Sequence, residues 1–453
     1  MNRQIFREYD IRGRVDVDLN EEVAELIGRG AGTLLKREGL KRMVVGRDNR
    51  LSSESYSQAV IRGLLSTGCS VTDIGIVPTP VFYFSIYQLK KEGGIMVTGS
   101  HNPPEFNGFK VAQETSTLYG ERIQDIRRII EAGEFSKGAG KVDRYYIIDD
   151  YIALIKSKIK LDRSIKVVVD AGNATAGLVA PSLLRELGCE VKELFCQLDG
   201  NFPHHHPDPT VPENLIELIH TVTTLRYDLG CSYDGDADRL GVVDNRGKII
   251  WGDQLLVIFS RDLLSRQPGA KILFEVKCSQ TLVDDIKKHG GQPVMWKTGH
   301  SLIKKKMREE GIPLAGEMSG HLFFADEYYG YDDAIYASCR LIQILSRTGR
   351  SISELLADLP RTYSTPEIRR DCPDEVKFKL VERMKEYFSQ RYQTIDVDGV
   401  RVVFDDGWGL VRPSNTQPVI VMRFEATTPQ GLERIQELME GKLEEFASEE
   451  KCG

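Results

Sequence analysis

One pattern constrains the fold more than any other feature of the chain: strand, polar loop, helix, glycine, strand, three times over. The first copy opens on Met43-Val44-Val45-Gly46, continues as a helix to about Ser66, breaks at Gly68 and resumes as a strand at Val71. The second opens on Lys166-Val167-Val168-Val169-Asp170, runs helically to Leu187, breaks at Gly188 and resumes at Val191. The third opens on Ile272-Leu273-Phe274-Glu275-Val276, runs to His289, breaks at Gly290-Gly291 and resumes at Val294. Short apolar runs rich in β-branched residues suit strands buried on both faces. Glycine just past a helix takes the left-handed conformation that ends it. Two strands joined through a helix lie parallel, so each copy predicts a mostly parallel sheet covered by helices. The uneven spacing of the copies argues for three related domains and against a short-period solenoid. With 453 residues, and about 150 per domain, the length agrees.

The last part of the chain reads differently. A helical stretch over 375–390 precedes short strands near 394–397, 400–404, 409–411 and 419–424, and an amphipathic helix begins near Pro429. Such an order fits a small α+β domain. The expected divisions are 1–145, 146–249, 250–361 and 362–453. The proline-rich stretch 199–209, with His204-His205-His206, reads as a rigid interdomain connection in preference to a metal tract. The apolar run 255–259 is too short to cross a membrane and reads as a buried segment.

Charge narrows the function. With Lys+Arg 60 and Asp+Glu 67 the formal net charge is -7, which argues against nucleic acid or an anionic membrane as partner. Small phosphorylated ligands stay open, because they need only a local basic pocket. None of the 8 cysteines has CxxC spacing, so zinc knuckles and thioredoxin-type chemistry are not expected. Scattered thiols and an amino terminus with no apolar stretch lead us to expect a cytoplasmic protein.

The sharpest motif is Asp234-Gly235-Asp236-Ala237-Asp238-Arg239. Three carboxylates so close repel one another unless a cation neutralises them. Oxygen ligands suit a hard ion, magnesium before calcium. A solvated acidic turn is the bland alternative. An EF-hand is disfavoured, because Arg239 stands where its glycine belongs and Asn245 where its glutamate belongs. Arg239 adds a cation suited to an anionic ligand.

A second motif, Thr98-Gly99-Ser100-His101-Asn102-Pro103-Pro104, follows the strand-like Gly94-Ile95-Met96-Val97 and precedes Lys110. It puts Ser100 exposed at the carboxyl end of a strand, where α/β proteins bind ligands, though a loop serine alone is an ordinary turn residue. It is not GxSxG, so a hydrolase elbow is not supported. In Arg412-Pro413-Ser414-Asn415-Thr416-Gln417-Pro418, followed by Arg423, hydroxyls, an amide and guanidinium groups make either a phosphate cradle or a polar hairpin loop. In Gly316-Glu317-Met318-Ser319-Gly320-His321, Glu317 and Ser319 suit sugar hydroxyls, although the segment also reads as a turn. Gly28-x-Gly30 lies in a helical stretch with no strand before it, so a dinucleotide fingerprint is not expected; no P-loop occurs.

Taken together and in order, these motifs and the opening FREYDIRG resemble the α-D-phosphohexomutase superfamily along essentially the whole chain, most closely its bacterial phosphomannomutase/phosphoglucomutase branch. The resemblance implies three related α/β domains with mixed, mostly parallel sheets and a smaller α+β, TATA-box-binding-protein-like C-terminal domain around one cleft. It implies an isomerase that interconverts hexose 1-phosphate and hexose 6-phosphate, of mannose and glucose, through phosphorylated Ser100 and a hexose 1,6-bisphosphate. It implies Mg2+ held by Asp234, Asp236, Asp238 and the Ser100 phosphate, with Arg239 beside it. Lys110, His101, Arg12 and Tyr9 would surround the transfer centre, and Lys110 or His321 would be the general base, Lys110 slightly ahead. Lys277, His300, Glu317, Ser319 and His321 would contact the sugar phosphate, and Arg412, Ser414, Asn415, Thr416 and Arg423 the distal phosphate. Glucose 1,6-bisphosphate (or mannose 1,6-bisphosphate) would act as activator, and the protein would work as a monomer on small hexose phosphates, with no nucleic acid or membrane partner. A phosphoglucosamine mutase is the alternative within the class; a non-catalytic sugar-phosphate-binding homologue and a metal-dependent phosphatase are alternatives outside it.

Overall fold

The computed structural model describes residues 1–415 and 417–452. Each of the three repeated units builds one four-stranded core of the same topology. In the first unit the strands are Arg42–Arg47, Ser70–Ile76, Gly93–Val97 and Phe106–Gln113, with helix Ser53–Ser66 between the first two. In the second they are Lys166–Asp170, Glu190–Leu194, Leu229–Tyr233 and Leu240–Asp244. In the third they are Lys271–Glu275, Gln292–Trp296, Leu314–Gly316 and Leu322–Phe324. In every unit the spatial order is fourth, third, first, second. The last three of these run parallel, and the fourth returns antiparallel beside the third. The sequence resolves the parallel pair in each unit, and the antiparallel hairpin is the addition.

The helix-ending glycines behave as their position requires. Gly68, Gly188 and Gly290 have φ of +92°, +99° and +77°. A side chain there would strain the backbone, so these residues allow each helix to turn directly into the next strand. Gly28 lies in helix Glu21–Arg37 against the Val60 carbonyl of helix Ser53–Ser66. Its role is close helix packing.

The three units share a core. Helix Thr79–Gln88 is apolar on nearly every side and is buried from Thr79 to Ile86. A helix without a polar face must be enclosed, and this one packs in a continuous cluster with Tyr151 and Leu229 of the second unit and Phe324 and Tyr336 of the third. Residues 255–259 belong to the buried part of helix Gly252–Arg266.

The C-terminal unit is a fully antiparallel sheet built on Gln393–Ile395, Val400–Phe404, Gly407–Pro413 and Val419–Ala426. Because strand side chains alternate between faces, Val400, Val402, Val411, Met422 and Phe424 pack under helices Asp374–Ser389 and Pro429–Cys452. The opposite face carries Arg401, Trp408 and Glu425 toward the third unit. Arg401 donates to the carbonyls of Val276 and Cys278 at 2.7 Å each, and its guanidinium lies 3.6 Å from the Trp408 ring centroid. Trp408 Nε1 donates to Glu425 Oε1 at 2.9 Å, and the same oxygen accepts from Ser279 Oγ at 2.9 Å. Among the described residues no helix is long and apolar enough to cross a membrane.

Arg401→Ala leaves two buried carbonyls without their donor and uncovers the face of Trp408. It should lower the thermal unfolding midpoint, read by tryptophan fluorescence, by about 5 °C; a midpoint equal to that of the parent would contradict the assigned role of Arg401 at this contact.

Candidate active site

The chemistry-bearing motifs occupy equivalent places. Residues 98–105, 234–239 and 317–321 are the loops of the antiparallel hairpin in the first, second and third units, and 414–418 is the loop between the last two strands of the fourth. All three α/β loops lie at the carboxyl end of a central strand, the usual place of a site in such sheets.

The serine loop is held under tension. Ser100 has φ +49°, a left-handed conformation that costs a non-glycine residue free energy. Arg50 holds the loop from beneath: it is 2% exposed, and it donates to the carbonyls of Ser100 (2.7 Å), Asn102 (2.6 Å), Pro103 (2.6 Å) and Phe106 (2.9 Å). Asp48 in turn accepts from Arg50 Nε and from the Gly99 amide, each at 3.1 Å. A methyl group on Gly235 would collide with the Ser100 carbonyl oxygen, so the serine and acidic loops touch backbone to backbone. Contrary to the expectation of an exposed serine, Ser100 is buried because the acidic loop packs on it; its hydroxyl donates to Asp234 Oδ2 at 2.8 Å and lies 3.2 Å from His101 Nδ1.

Asp234, Asp236 and Asp238 are buried and bring carboxylate oxygens within 4.8 Å of one another. Lys110 Nζ donates to Asp236 at 2.6 Å and to Asp238 at 2.5 Å, and Thr79 Oγ1 donates to Asp236 at 2.6 Å. Oδ1 of Asp236 and Oδ1 of Asp238 are buried with no hydrogen-bond partner. Burial, then the neighbouring charges of Asp238 and Asp236, push the Asp234 carboxyl well above the ordinary carboxylate range. Burial opposes the charge on Lys110, but Asp236 and Asp238 outweigh it and hold the ammonium well above its ordinary value. One ammonium does not neutralise three carboxylates. The oxygen-only donor set, the two orphaned oxygens and the raised Asp234 fit a divalent cation.

The loop is tied to every α/β unit. The Thr79 amide from the first unit donates to the Asp236 carbonyl at 2.8 Å. Thr175 Oγ1 from the second donates to the Gly235 carbonyl at 3.0 Å. From the third, the Ala334 amide donates to the Ala237 carbonyl at 3.2 Å, and Arg239 Nε donates to His321 Nε2 at 3.0 Å.

Beyond this centre the predicted residues fall into groups. Tyr9 Oη donates to the Thr298 carbonyl at 2.9 Å and accepts from Asn415 Nδ2 at 3.1 Å. Arg412 Nε pairs with Asp398 Oδ2 at 2.9 Å, and Asp398 accepts from the Thr298 amide at 3.1 Å. Arg12 pairs with Asp10 at 2.5 Å. Glu317 accepts from the Gly299 amide at 3.0 Å and from Ser319 Oγ at 3.1 Å. Lys277 pairs with Glu367 at 2.8 Å. His321 is buried and the partly buried His300 lies beside it, with ring centroids 5.6 Å apart. Ser414 is buried in its loop. Arg423 is turned into the contact between the third and fourth units, donating to the Lys277 carbonyl. Thr416 lies outside the described residues. His204 and His205 bond to Asn173 and Asp170, so the tract is a structural connection within the second unit and not the interdomain one expected.

Four supporting residues escape the sequence reading. Arg50 and Asp48 belong to Gly46-Arg47-Asp48-Asn49-Arg50, a charged run directly after an apolar strand, and that placement is a usable signal. Glu275 ends an apolar strand run; it is fully buried and accepts from Thr298 Oγ1 at 2.6 Å and from the Met318 amide at 3.2 Å. Asp332 carries no local signal at all.

Comparison with known proteins identifies the relatives of this arrangement. Residues 3–137, 149–247 and 251–363 match the phosphoglucomutase/phosphomannomutase α/β/α domains I, II and III, and 367–442 match the C-terminal domain of the same family. The chain is 48% identical over 442 residues to a phosphomannomutase/phosphoglucomutase of Pseudomonas putida, covering 97% of this chain and 95% of that one. It is 44% identical over 449 residues to a phosphoglucomutase of Neisseria gonorrhoeae, covering 98% and 97%. A crystal structure of a phosphoglucomutase/phosphomannomutase family protein from Burkholderia thailandensis superposes with a TM-score of 0.93 at 44% identity, covering 98% and 97%.

A cation bound by the native acidic loop stabilises the folded state. Millimolar Mg2+ should therefore raise the thermal midpoint of the parent by a few degrees and leave Asp236→Asn unmoved; equal shifts in both proteins would place the binding elsewhere.

Proposed function

The chain belongs to the phosphoglucomutase/phosphomannomutase family, and from that membership we propose that it interconverts the 1-phosphates and 6-phosphates of mannose and glucose through a phosphorylated Ser100. It is thus an intramolecular phosphotransferase, an isomerase, acting on small hexose phosphates. The observation that carries the reading is the Ser100 hydroxyl, 2.8 Å from a carboxylate of the acidic cluster, on a loop braced by Arg50.

In this reading the Ser100 Oγ–P bond breaks as a bond forms between phosphorus and the free hydroxyl oxygen of the sugar phosphate. The bonding pair stays on Oγ, and the hydroxyl proton passes to a base. The hexose 1,6-bisphosphate then turns end over end in the cleft and returns its other phosphoryl group to Ser100. Mg2+ held by Asp234, Asp236 and Asp238 would neutralise charge on the phosphoryl oxygens when bound. Of the two candidate bases, Lys110 is occupied as an ammonium by two carboxylates, so it suits phosphoryl charge and not proton removal. His321 takes the base role: its Nε2 accepts from Arg239 Nε and so carries the lone pair, which the sugar hydroxyl would take over from Arg239 on binding. Burial works against the charged imidazole, while Asp238 and a bond to Asp332 raise its affinity for a proton.

The remaining assignments follow the geometry of a ligand with two ends. Arg412, Ser414, Asn415 and Thr416 would receive the distal phosphate, with Arg423 behind them, and Tyr9 and Lys277 at the rim. Glu317, Ser319 and His300 would meet the ring hydroxyls, and Arg12 and His101 the transferring group. Glucose 1,6-bisphosphate or mannose 1,6-bisphosphate would prime Ser100. The site needs one chain only, so we propose a cytoplasmic monomer divided at 145, 249 and 361.

The test is isomer formation from mannose 1-phosphate, glucose 1-phosphate and glucosamine 1-phosphate with Mg2+ and a trace of glucose 1,6-bisphosphate. Comparable turnover of the first two and little of the third is expected; dominance of the third would overturn the sugar assignment. His321→Ala should lower kcat by about 10²–10³-fold, and a loss under threefold would return the base role to another group.

A further inference from the structure

We infer that Asp332 is a positioning residue for both active-site histidines, fixing their tautomers through a single carboxylate oxygen. The inference rests on the proposed role of His321 and extends it to a residue outside every motif discussed above.

Asp332 is fully buried. Its Oδ2 lies 3.1 Å from Nδ1 of His321 and 3.5 Å from Nδ1 of His300. All three atoms are buried and make no well-aligned hydrogen bond among the described residues, so the approach of each Nδ1 to Oδ2 is a close polar contact. The two imidazole planes are inclined by only 17°, so both rings turn the same edge to the same oxygen. The other oxygen, Oδ1, accepts from Lys304 Nζ at 2.9 Å, and Lys304 sits 4.3 Å from the Tyr83 ring centroid. Lys304 therefore fixes which way the carboxylate faces. Asp238 Oδ1 also lies 3.5 Å from His321 Nδ1, but that residue belongs to the cation-binding triad.

Asp332 is placed by its neighbours in the chain. Tyr328 stacks on Tyr336 with ring centroids 4.1 Å apart, and Tyr329 on Tyr87 at 4.4 Å. Asp333 accepts from Tyr151 at 2.8 Å and from Tyr328 at 2.7 Å, and caps the next helix through the Tyr336 amide at 2.8 Å. This tyrosine-rich strap is anchored in all three α/β units. It delivers one carboxylate to the Nδ1 edge of two histidines, which favours the Nδ1–H tautomer in both and leaves each Nε2 as a proton acceptor. On the other side, Arg239 Nε donates to His321 Nε2, a bond that needs the same tautomer.

Asp332→Asn reverses this logic without changing shape. Lys304 retains the amide oxygen, so the amide NH2 faces both Nδ1 atoms and favours Nε2–H instead. With a base of the wrong tautomer, kcat should fall about 10–100-fold while KM stays within about threefold. Long-range 1H–15N NMR of histidine-labelled protein in alkaline buffer reads the tautomers directly. His300 and His321 should both be Nδ1–H in the parent, and both should become Nε2–H in Asp332→Asn. Nε2–H at either histidine of the parent, an unchanged tautomer at either histidine of the variant, or unchanged kcat would each overturn the inference. A lost kcat accompanied by parental tautomers would also overturn it, as a merely structural effect. The NMR arm needs no turnover, so it stands even if the parent fails to isomerise hexose phosphates, an outcome that would instead sink the functional reading.

Discussion

Three carboxylates on one short loop cannot be buried without compensating positive charge, and the rest of the molecule is arranged around that constraint. Asp234, Asp236 and Asp238 are each 1% exposed or less. Lys110 from the first unit and Arg239 from the loop itself supply part of the compensation, and the orphaned oxygens leave room for a cation. Thr79, Thr175 and Ala334, one from each α/β unit, hold the backbone of the loop. A centre tied this way cannot form until all three units are in place. This gives the shared apolar core around helix Thr79–Gln88 a functional consequence, because it sets the distance between the serine loop and the carboxylates.

The fourth unit is joined to this body by two different kinds of contact. One is the stack of Arg401 on Trp408 with its bonds to the Val276 and Cys278 carbonyls, which docks the sheet face to the third unit. The other is polar and converges on Thr298. Its hydroxyl donates to Glu275, its amide to Asp398 of the fourth unit, and its carbonyl accepts from Tyr9 of the first. This second contact, as far as it is described, is made of hydrogen bonds and an ion pair. Arg412 and Asn415, bonded to Asp398 and Tyr9 at this contact, are among those proposed to receive the distal phosphate. Ligand binding and closure would then draw on one set of residues.

Much of this was legible in the sequence, for physical reasons that differ by element. The parallel strands could be read because burial on both faces forces continuous apolar runs such as Val167-Val168-Val169, and the helix ends because Gly68, Gly188 and Gly290 serve a backbone conformation other residues avoid. The acidic loop could be read because its carboxylates are adjacent in the chain. Arg50 was missed because its carbonyl partners lie about fifty residues away. Asp332 was missed because Asp326, Glu327, Asp332 and Asp333 look like a solvated acidic stretch. Only the packing of Tyr329 against Tyr87 of the first unit and of Tyr328 against Tyr336 of its own reveals that it is interior. Lys110 is the opposite case: its proximity to the site was legible, but its pairing with two carboxylates, which argues against a role as base, was not.

The central claim is that Ser100 carries the phosphoryl group between the two ends of the sugar. Peptide mapping by mass spectrometry after incubation with glucose 1,6-bisphosphate and Mg2+ addresses it most directly. One phosphoryl group should appear on the peptide containing Ser100 and disappear when excess glucose 1-phosphate is added, with glucose 1,6-bisphosphate recovered in equal amount. A phosphoryl group found on another residue, or one on Ser100 that leaves only as inorganic phosphate, would contradict the account.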